Sequence, residues 1–232
     1  MRKAFIVFLS LAYFSVVLSE IDPFQNLNEK THNLNQSLDE SIATPIAKAY
    51  KKVTPDFVEI GITNFTDNIE DINIAINNIL QGKIKDGFSD IFRFSLNSTI
   101  GVLGFFDVAS SMGLKKHSED FGQTLAVWGV SDGPYVVLPI LGPSNLRDTL
   151  ARIPEAFMTP LLLIDHDRTS YELTTIDLLD KRARYLGLES MIIGDDYLFY
   201  RDAYFQNREF EISDGILEDD FDDFDDFDDF DD

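Results

Sequence analysis

Cysteine is absent from the 232 residues, which excludes a disulfide, a thiolate metal site, a cysteine nucleophile and acylation of a cysteine within them. Histidine is scarce: His32, His117 and His166 are far apart in the chain. Asp165-His166-Asp167 alone has metal-ligand or acid–base character, but consecutive side chains diverge and no second histidine is near, so no metal site is expected. The chain also has no GxSxG nucleophile elbow, HExxH zinc helix, phosphate-binding loop or dinucleotide fingerprint, so neither catalysis nor a cofactor is expected. Positive charge is in deficit, with 19 Lys and Arg against 41 Asp and Glu and a formal net charge of -22. Phosphate backbones are bound by clustered bases, so nucleic acid is not a partner. Beyond the first residues, no apolar run reaches the ~18–20 residues that a spanning helix needs.

What is present divides the chain into three. Residues 1–19 read as a cleaved export signal, with Arg2 and Lys3 ahead of an apolar core from Ala4 to Leu18 and a processing site at Val17-Leu18-Ser19. A retained membrane anchor is the alternative. Either way the folded part, residues 20–217, lies outside the cytoplasm. It carries 17 bases against 30 acids. Residues 218–232 repeat Asp-Asp-Phe and hold eleven acids and no base. Their mutual repulsion predicts a disordered tail, and a peptide docking its phenyl rings on a basic partner is the alternative.

Within the folded part, apolar residues recur at helical spacing from Leu38 to Tyr50 and from Asp56 to Gln81. In the second stretch Ile62, Phe65, Ile69, Ile72, Ile76 and Ile79 share one stripe, with Asp67, Glu70, Asn73 and Asn77 opposite. Gly82 is a helix stop. A third helix covers Asp86 to Leu96 and presents Phe88, Ile91, Phe92 and Phe94. Asn97, Ser98 and Thr99 have the side chains to cap a following helix. Gly129 to Pro143 holds three Gly and three Pro, which predicts an ordered loop with one short extended piece. Ser144 is placed to cap a helix running to Ile153, and Tyr171 to Leu186 reads as a further helix ended by Gly187. Strand signals are few, so the fold is expected to be mainly α. His117, beside Lys115 and Lys116, reads as part of a basic surface patch. From Asn97 to Asp148 glycine, aromatic and aliphatic residues are dense, as in protein that meets lipid without crossing it.

The order of these pieces resembles the MlaA (VacJ) family of outer-membrane phospholipid-transport proteins. Asp22-Pro23 and Asn28 are similar to its opening motif, and Leu38-Asp39, Pro45 and Tyr50 to the next helix. Asn64-Phe65 and Leu80-Gln81-Gly82 follow, then Arg93-Phe94, Asn97, Gly101, Phe106-Asp107 and Ala109. Asp120-Phe121-Gly122-Gln123-Thr124-Leu125, Gly133-Pro134-Tyr135, Leu138-Pro139, Gly142-Pro143 and Arg147-Asp148 continue the match. Arg201, Ala203-Tyr204 and Arg208 stand where the family has its closing helix. The chain departs from the family at Leu18-Ser19-Glu20, where a lipidated cysteine is usual. It departs also at Asn26 and Glu29, for a glycine and an arginine, and at Ile72, for a common proline.

The resemblance implies helices arranged as a ring lying in one membrane leaflet with a central amphipathic channel, on the periplasmic side of the outer membrane; the departure at Leu18-Ser19-Glu20 means that a cysteine-linked anchor is not carried over. It implies three partners: phospholipid, an outer-membrane porin trimer and a soluble periplasmic lipid carrier of the Mla type. It implies passage without catalysis; a porin-docking scaffold that passes no lipid is the alternative. A two-chain phospholipid has about thirty methylenes, and at ~0.8 kcal/mol each their exposure to water would cost on the order of 25 kcal/mol, so a route must shield the tails. Leu103, Phe105, Phe106, Val136, Val137 and Leu138 are the candidate apolar contacts. Arg93, Lys115, Lys116 and Arg147 are the candidate phosphate contacts.

Overall fold

The computed structural model of the protein describes residues 22–158 and 167–216. The export segment 1–19, the tail 218–232 and Asp165-His166 lie outside the described residues. In chain order the helices are α1 (Gln25–Leu38), α2 (Thr44–Val53), α3 (Asp56–Leu80), α4 (Ile84–Thr99), α5 (Val108–Ser111) and α6 (Phe121–Val127). A hairpin of β1 (Tyr135–Leu138) and β2 (Gly142–Asn145) precedes α7 (Leu146–Met158), α8 (Asp167–Arg184) and α9 (Asp196–Ile212). The fold is mainly α, as the sparse strand signals require.

Helix α3 shows how the molecule is organised. Its isoleucine stripe does not enter a protein core: Ile62, Phe65, Ile69, Ile72 and Ile76 are half-buried and Ile79 is exposed. The residues it buries are Glu59, Thr66, Asn68, Asp71, Asn77 and Asn78, with Ile74 and Ala75 as small apolar company. Helix α4 packs along α3 in the same sense, burying Asp90, Arg93 and Asn97 while Phe88, Ile91 and Phe92 stay exposed. Buried amides and charges hold together only when they are hydrogen-bonded. Here Asn78 Nδ2 donates to Asp90 at 2.8 Å, Thr124 Oγ1 to Asn77 at 2.9 Å and Asn68 Nδ2 to Ser98 at 2.9 Å. Helix α3 stops where expected, with Gly82 at φ 85° and Trp128 Nε1 donating to the Leu80 carbonyl at 3.1 Å.

Three local expectations are corrected. Asn97, Ser98 and Thr99 close α4, and the N-cap of the following helix α5 is Asp107. From α4, Asn97 holds the start of α5, donating to Asp107 at 3.1 Å and accepting from the Ala109 N–H at 2.9 Å. Ser144 is buried in β2, and Asn145 caps α7 by accepting from the Asp148 N–H at 2.7 Å. His117 belongs to no surface patch. Its ring is largely buried, with Nδ1 2.7 Å from Asp90 and Nε2 3.8 Å from Asp86. The acids it needs are 27 and 31 positions away, beyond the reach of local inspection.

The extended piece in Gly129–Pro143 is one half of an antiparallel hairpin, pairing Tyr135 with Asn145 and Val137 with Pro143. Its outer edge is filled by side chains. Asn28 in α1 donates to the Tyr135 carbonyl at 3.0 Å and accepts from the Val137 N–H at 2.9 Å. Two turns later Asn35 repeats the pattern on Leu138 (2.9 Å) and Ile140 (2.7 Å). Two asparagines seven residues apart lie on one helix face and here replace a strand. Asn28→Ala would leave both buried backbone groups unpaired, and a loss of about 2–4 kcal/mol in unfolding free energy is expected from denaturant titration. The apolar cluster among the described residues sits beside this hairpin: Tyr135, Val137 and Tyr197, with Tyr204 and Phe205 against them.

Candidate functional site

Helices α3, α7 and α8, with the loop entering α6, border a part-open cavity of about 400 Å³. That is within the size range of small-ligand sites. Its wall is mixed: Ile69, Ile74 and Leu173 are apolar, whereas Thr66, Asn73 and Ser118 are polar and uncharged. Glu70, Glu119, Asp120, Glu155 and Asp177 add carboxylates. Burial first, and then the neighbouring Asp120, push the Glu155 carboxyl above its ordinary value, while Asn73 donates to it at 3.1 Å.

Ion networks brace this wall. On one side Asp180, fully buried, accepts from Tyr50 at 3.0 Å and Thr63 at 2.7 Å and so ties α8 to α2 and α3. Arg182 grips Asp39, in the wide turn between α1 and α2, through two bonds of 2.6 and 2.8 Å. On the other side Arg208 in α9 reaches Asp120 at 2.5 and 2.8 Å and Asp148 at 2.7 Å. Asp148 is buried, which would raise its pKa, but Arg147 and Arg208 hold it below the usual carboxylate range. Gly122 lies under this knot, where a Cβ would collide with the Arg208 guanidinium and the Asp148 carboxylate.

The ten residues singled out from sequence fall elsewhere. Leu103 and Phe106 are exposed on the loop after α4, and Phe105 turns inward against Gly61. Val137 is in the hairpin core, with Val136 and Leu138 half-buried beside it. Arg93 is 2% exposed and meets Asp71 at 3.7 Å, Asp107 at 3.3 Å and the Leu114 carbonyl at 2.7 Å. Arg147 is 4% exposed, between Asp132 and Asp148. Lys116 pairs with Asp67, and Lys115 is exposed. None of the ten is in the cavity wall. The residues that are come from positions 66 to 177, so they meet only in the fold. The local trace was on α3, where Glu70 and Asn73 were read as polar-face residues, and Ile69 of the isoleucine stripe joins them in the wall.

A shell of helices with amides and ions inside, aliphatic and aromatic side chains outside and a mixed-lined cavity between them defines a lipid-facing helical protein. No helix among the described residues is long and apolar enough to cross a membrane. The chain belongs to the MlaA lipoprotein family, whose model matches residues 20–211. It is similar to the intermembrane phospholipid transport system lipoprotein MlaA of Escherichia coli (strain K12), at 33% identity over 203 residues, 85% of this chain and 80% of that protein. An uncharacterized protein of Rickettsia typhi is 34% identical over 196 residues, 83% of this chain and 78% of its own length. A solved chain, described under "Structural basis for maintenance of bacterial outer membrane lipid asymmetry", superposes with a TM-score of 0.75 at 31% identity. It covers 83% of this chain and 100% of its own.

Proposed function

We propose that the protein moves phospholipids between the outer membrane and a soluble periplasmic carrier, without covalent chemistry, and so maintains the lipid asymmetry of that membrane. The inverted polarity of the fold carries this assignment. Exposed side chains such as Phe57, Phe88, Phe92, Leu103, Phe106, Ile153 and Phe157 would each gain roughly 1.5–3 kcal/mol on leaving water. That favours a molecule seated in the periplasmic leaflet with its helices as a ring around the cavity. The cavity then offers a passing lipid both apolar and polar wall. We assign tail contact to the exposed apolar surface at Leu103 and Phe106, backed by the half-buried Phe105, and phosphate contact to the exposed Lys115. Arg93 and Arg147 are occupied by carboxylates and hold the scaffold. A porin trimer, itself embedded in the outer membrane, is the neighbour we place beside the ring.

The test is lipid analysis of the full chain after mild detergent extraction. Phospholipid should co-purify in near-stoichiometric amount and leave unchanged when a carrier accepts it. Protein free of lipid but bound to porin would overturn the assignment in favour of a scaffold, and release of lysophospholipid would overturn it in favour of a hydrolase.

A further inference from the structure

Helix α2 carries a surface that the cavity and its bracing leave unused. From Ser41 to Pro55 the chain has three lysines and no acid, in a sequence where acids outnumber bases by 41 to 19. One side of the helix is spent on the fold: Ala47 is fully buried, and Tyr50 donates to Asp180 of α8 at 3.0 Å. The opposite side is exposed. Ile46, Ala49 and Val53, at spacings of three and four, make a continuous apolar stripe there, with Ile46 50% and Val53 77% exposed. Lys48 and Lys52, one turn apart, run alongside it. Lys51 is held by Glu59 at 2.8 Å, but Lys48 and Lys52 are exposed and meet no carboxylate among the described residues. Such a helix suits a lipid surface: its apolar stripe enters the acyl boundary, while the lysine stems lie along it and lift their ammonium groups to head-group level. A protein surface is the poorer match. Protein interfaces are anchored by Trp, Tyr and Arg, and the exposed face of α2 has none of the three. Lysine is a mobile point charge, which fits a fluid array of phosphates better than a fixed planar partner.

We infer that α2 docks the protein on anionic phospholipid, with Ile46, Ala49 and Val53 in the acyl boundary and Lys48 and Lys52 on head groups of net negative charge. The inference rests on the leaflet-seated reading given above, and adds to it the face that enters and the charge of the lipid it meets. It also runs against the charge of the whole chain. A protein of net charge -22 is repelled by an anionic surface, so binding that strengthens with anionic lipid has to come from a local basic site.

The experiment dilutes the purified full chain from neutral detergent into vesicles of phosphatidylcholine, alone or mixed with phosphatidylglycerol, and separates membrane-bound protein by flotation. At low salt the partition should be about tenfold higher on the anionic vesicles, and high salt should bring it down to the neutral-vesicle level. The double variant Lys48→Gln, Lys52→Gln should lose that preference while keeping the circular dichroism of the unaltered protein and its binding to neutral vesicles. Ile46→Asn, Val53→Asn should weaken binding to both. Equal or weaker binding of the unaltered protein to the anionic vesicles would overturn the inference and leave the proposed transport standing. An anionic preference that survives in the lysine variant would also overturn it, by moving the site elsewhere. Loss of porin co-purification in the lysine variant, with vesicle binding unchanged, would overturn it in favour of a protein partner. Binding to neither kind of vesicle would instead remove the leaflet-seated reading itself.

Discussion

Replacing Arg93 by methionine should lower the unfolding free energy by about 3–5 kcal/mol, the range for removing one partner of a buried ion pair. The guanidinium lies between Asp71, 1% exposed, and Asp107, and its Nη1 also donates to Ser110 at 3.1 Å and to the Leu114 carbonyl. It therefore joins α3, α4 and the loop after α5. Methionine fills much of the volume but leaves Asp71 with no cation in contact. Asp107 would suffer less: burial works to raise its pKa, yet Ser110, Asn97 and Arg93 together hold it at about 2, and two of those three remain. Arg93→Lys keeps the charge and loses the planar fork, so an intermediate loss is expected. Urea titration in detergent measures all three proteins, and a loss for Arg93→Met below about 1 kcal/mol would refute a structural ion cluster here.

Asp71 adds a pH signature to the same cluster. Burial pushes its carboxyl up to about 7 from an ordinary 3.8, even with Arg93 pulling downward. Between those values the folded protein holds a proton that the unfolded chain has released. Stability must then fall as pH rises from about 4 to 7 and level off above, as proton linkage requires. Asp71→Asn should flatten this part of the profile. In the Arg93→Met background it should also recover part of the lost stability, because the uncompensated charge is gone. Failure of the double variant to exceed Arg93→Met at pH 8 would show that the two residues do not act as a pair.

The second large effect is expected from a single methyl group. Gly101 follows α4 where the chain folds back on itself, its N–H bonding to Leu96 and the Phe106 N–H returning to the Gly101 carbonyl at 2.9 Å. A Cβ at this position would overlap the Phe106 carbonyl oxygen and lie 2.9 Å from Asn97 Cα, both of them backbone atoms. Side chains can swing aside, but backbone moves only if the turn opens. Gly101→Ala should therefore cost about 2–3 kcal/mol or more, the scale of forced overpacking. It should also loosen Asn97 from Asp107 and Ala109. Amide hydrogen exchange should rise across residues 97–109 while remaining unchanged in the β1–β2 hairpin. Equal protection in both regions would show that the turn absorbs the methyl group.

The residues explain what could be foreseen. Helix α3 was legible because spacing of three and four from Ile62 to Ile79 has only one regular solution. Which way the stripe points was not, since periodicity groups residues on a face without saying whether that face meets protein or lipid. Helix α1 had no apolar stripe to find, because the residues it buries are Asn28 and His32. Strand β2 reads Gly-Pro-Ser-Asn, with no β-branched residue, and exists because β1 and two asparagines a hundred positions away complete its hairpin. The family was legible in the motifs from Arg93 to Asp148. Of the cavity wall only the α3 part left a local trace, since Glu119, Glu155 and Asp177 come from separate helices and loops and carry no local mark.

The polar interior has a thermal consequence. Most domains expose hydrocarbon when they open, and the water ordered around it raises the heat capacity and curves stability with temperature. Here many aliphatic and aromatic groups already face outward, and unfolding uncovers an unusually large share of amides and carboxylates, which push heat capacity the other way. The protein should thus unfold with a small heat-capacity increment, keep a nearly flat stability curve from cold to warm, and lose its shape through the breaking of directional bonds.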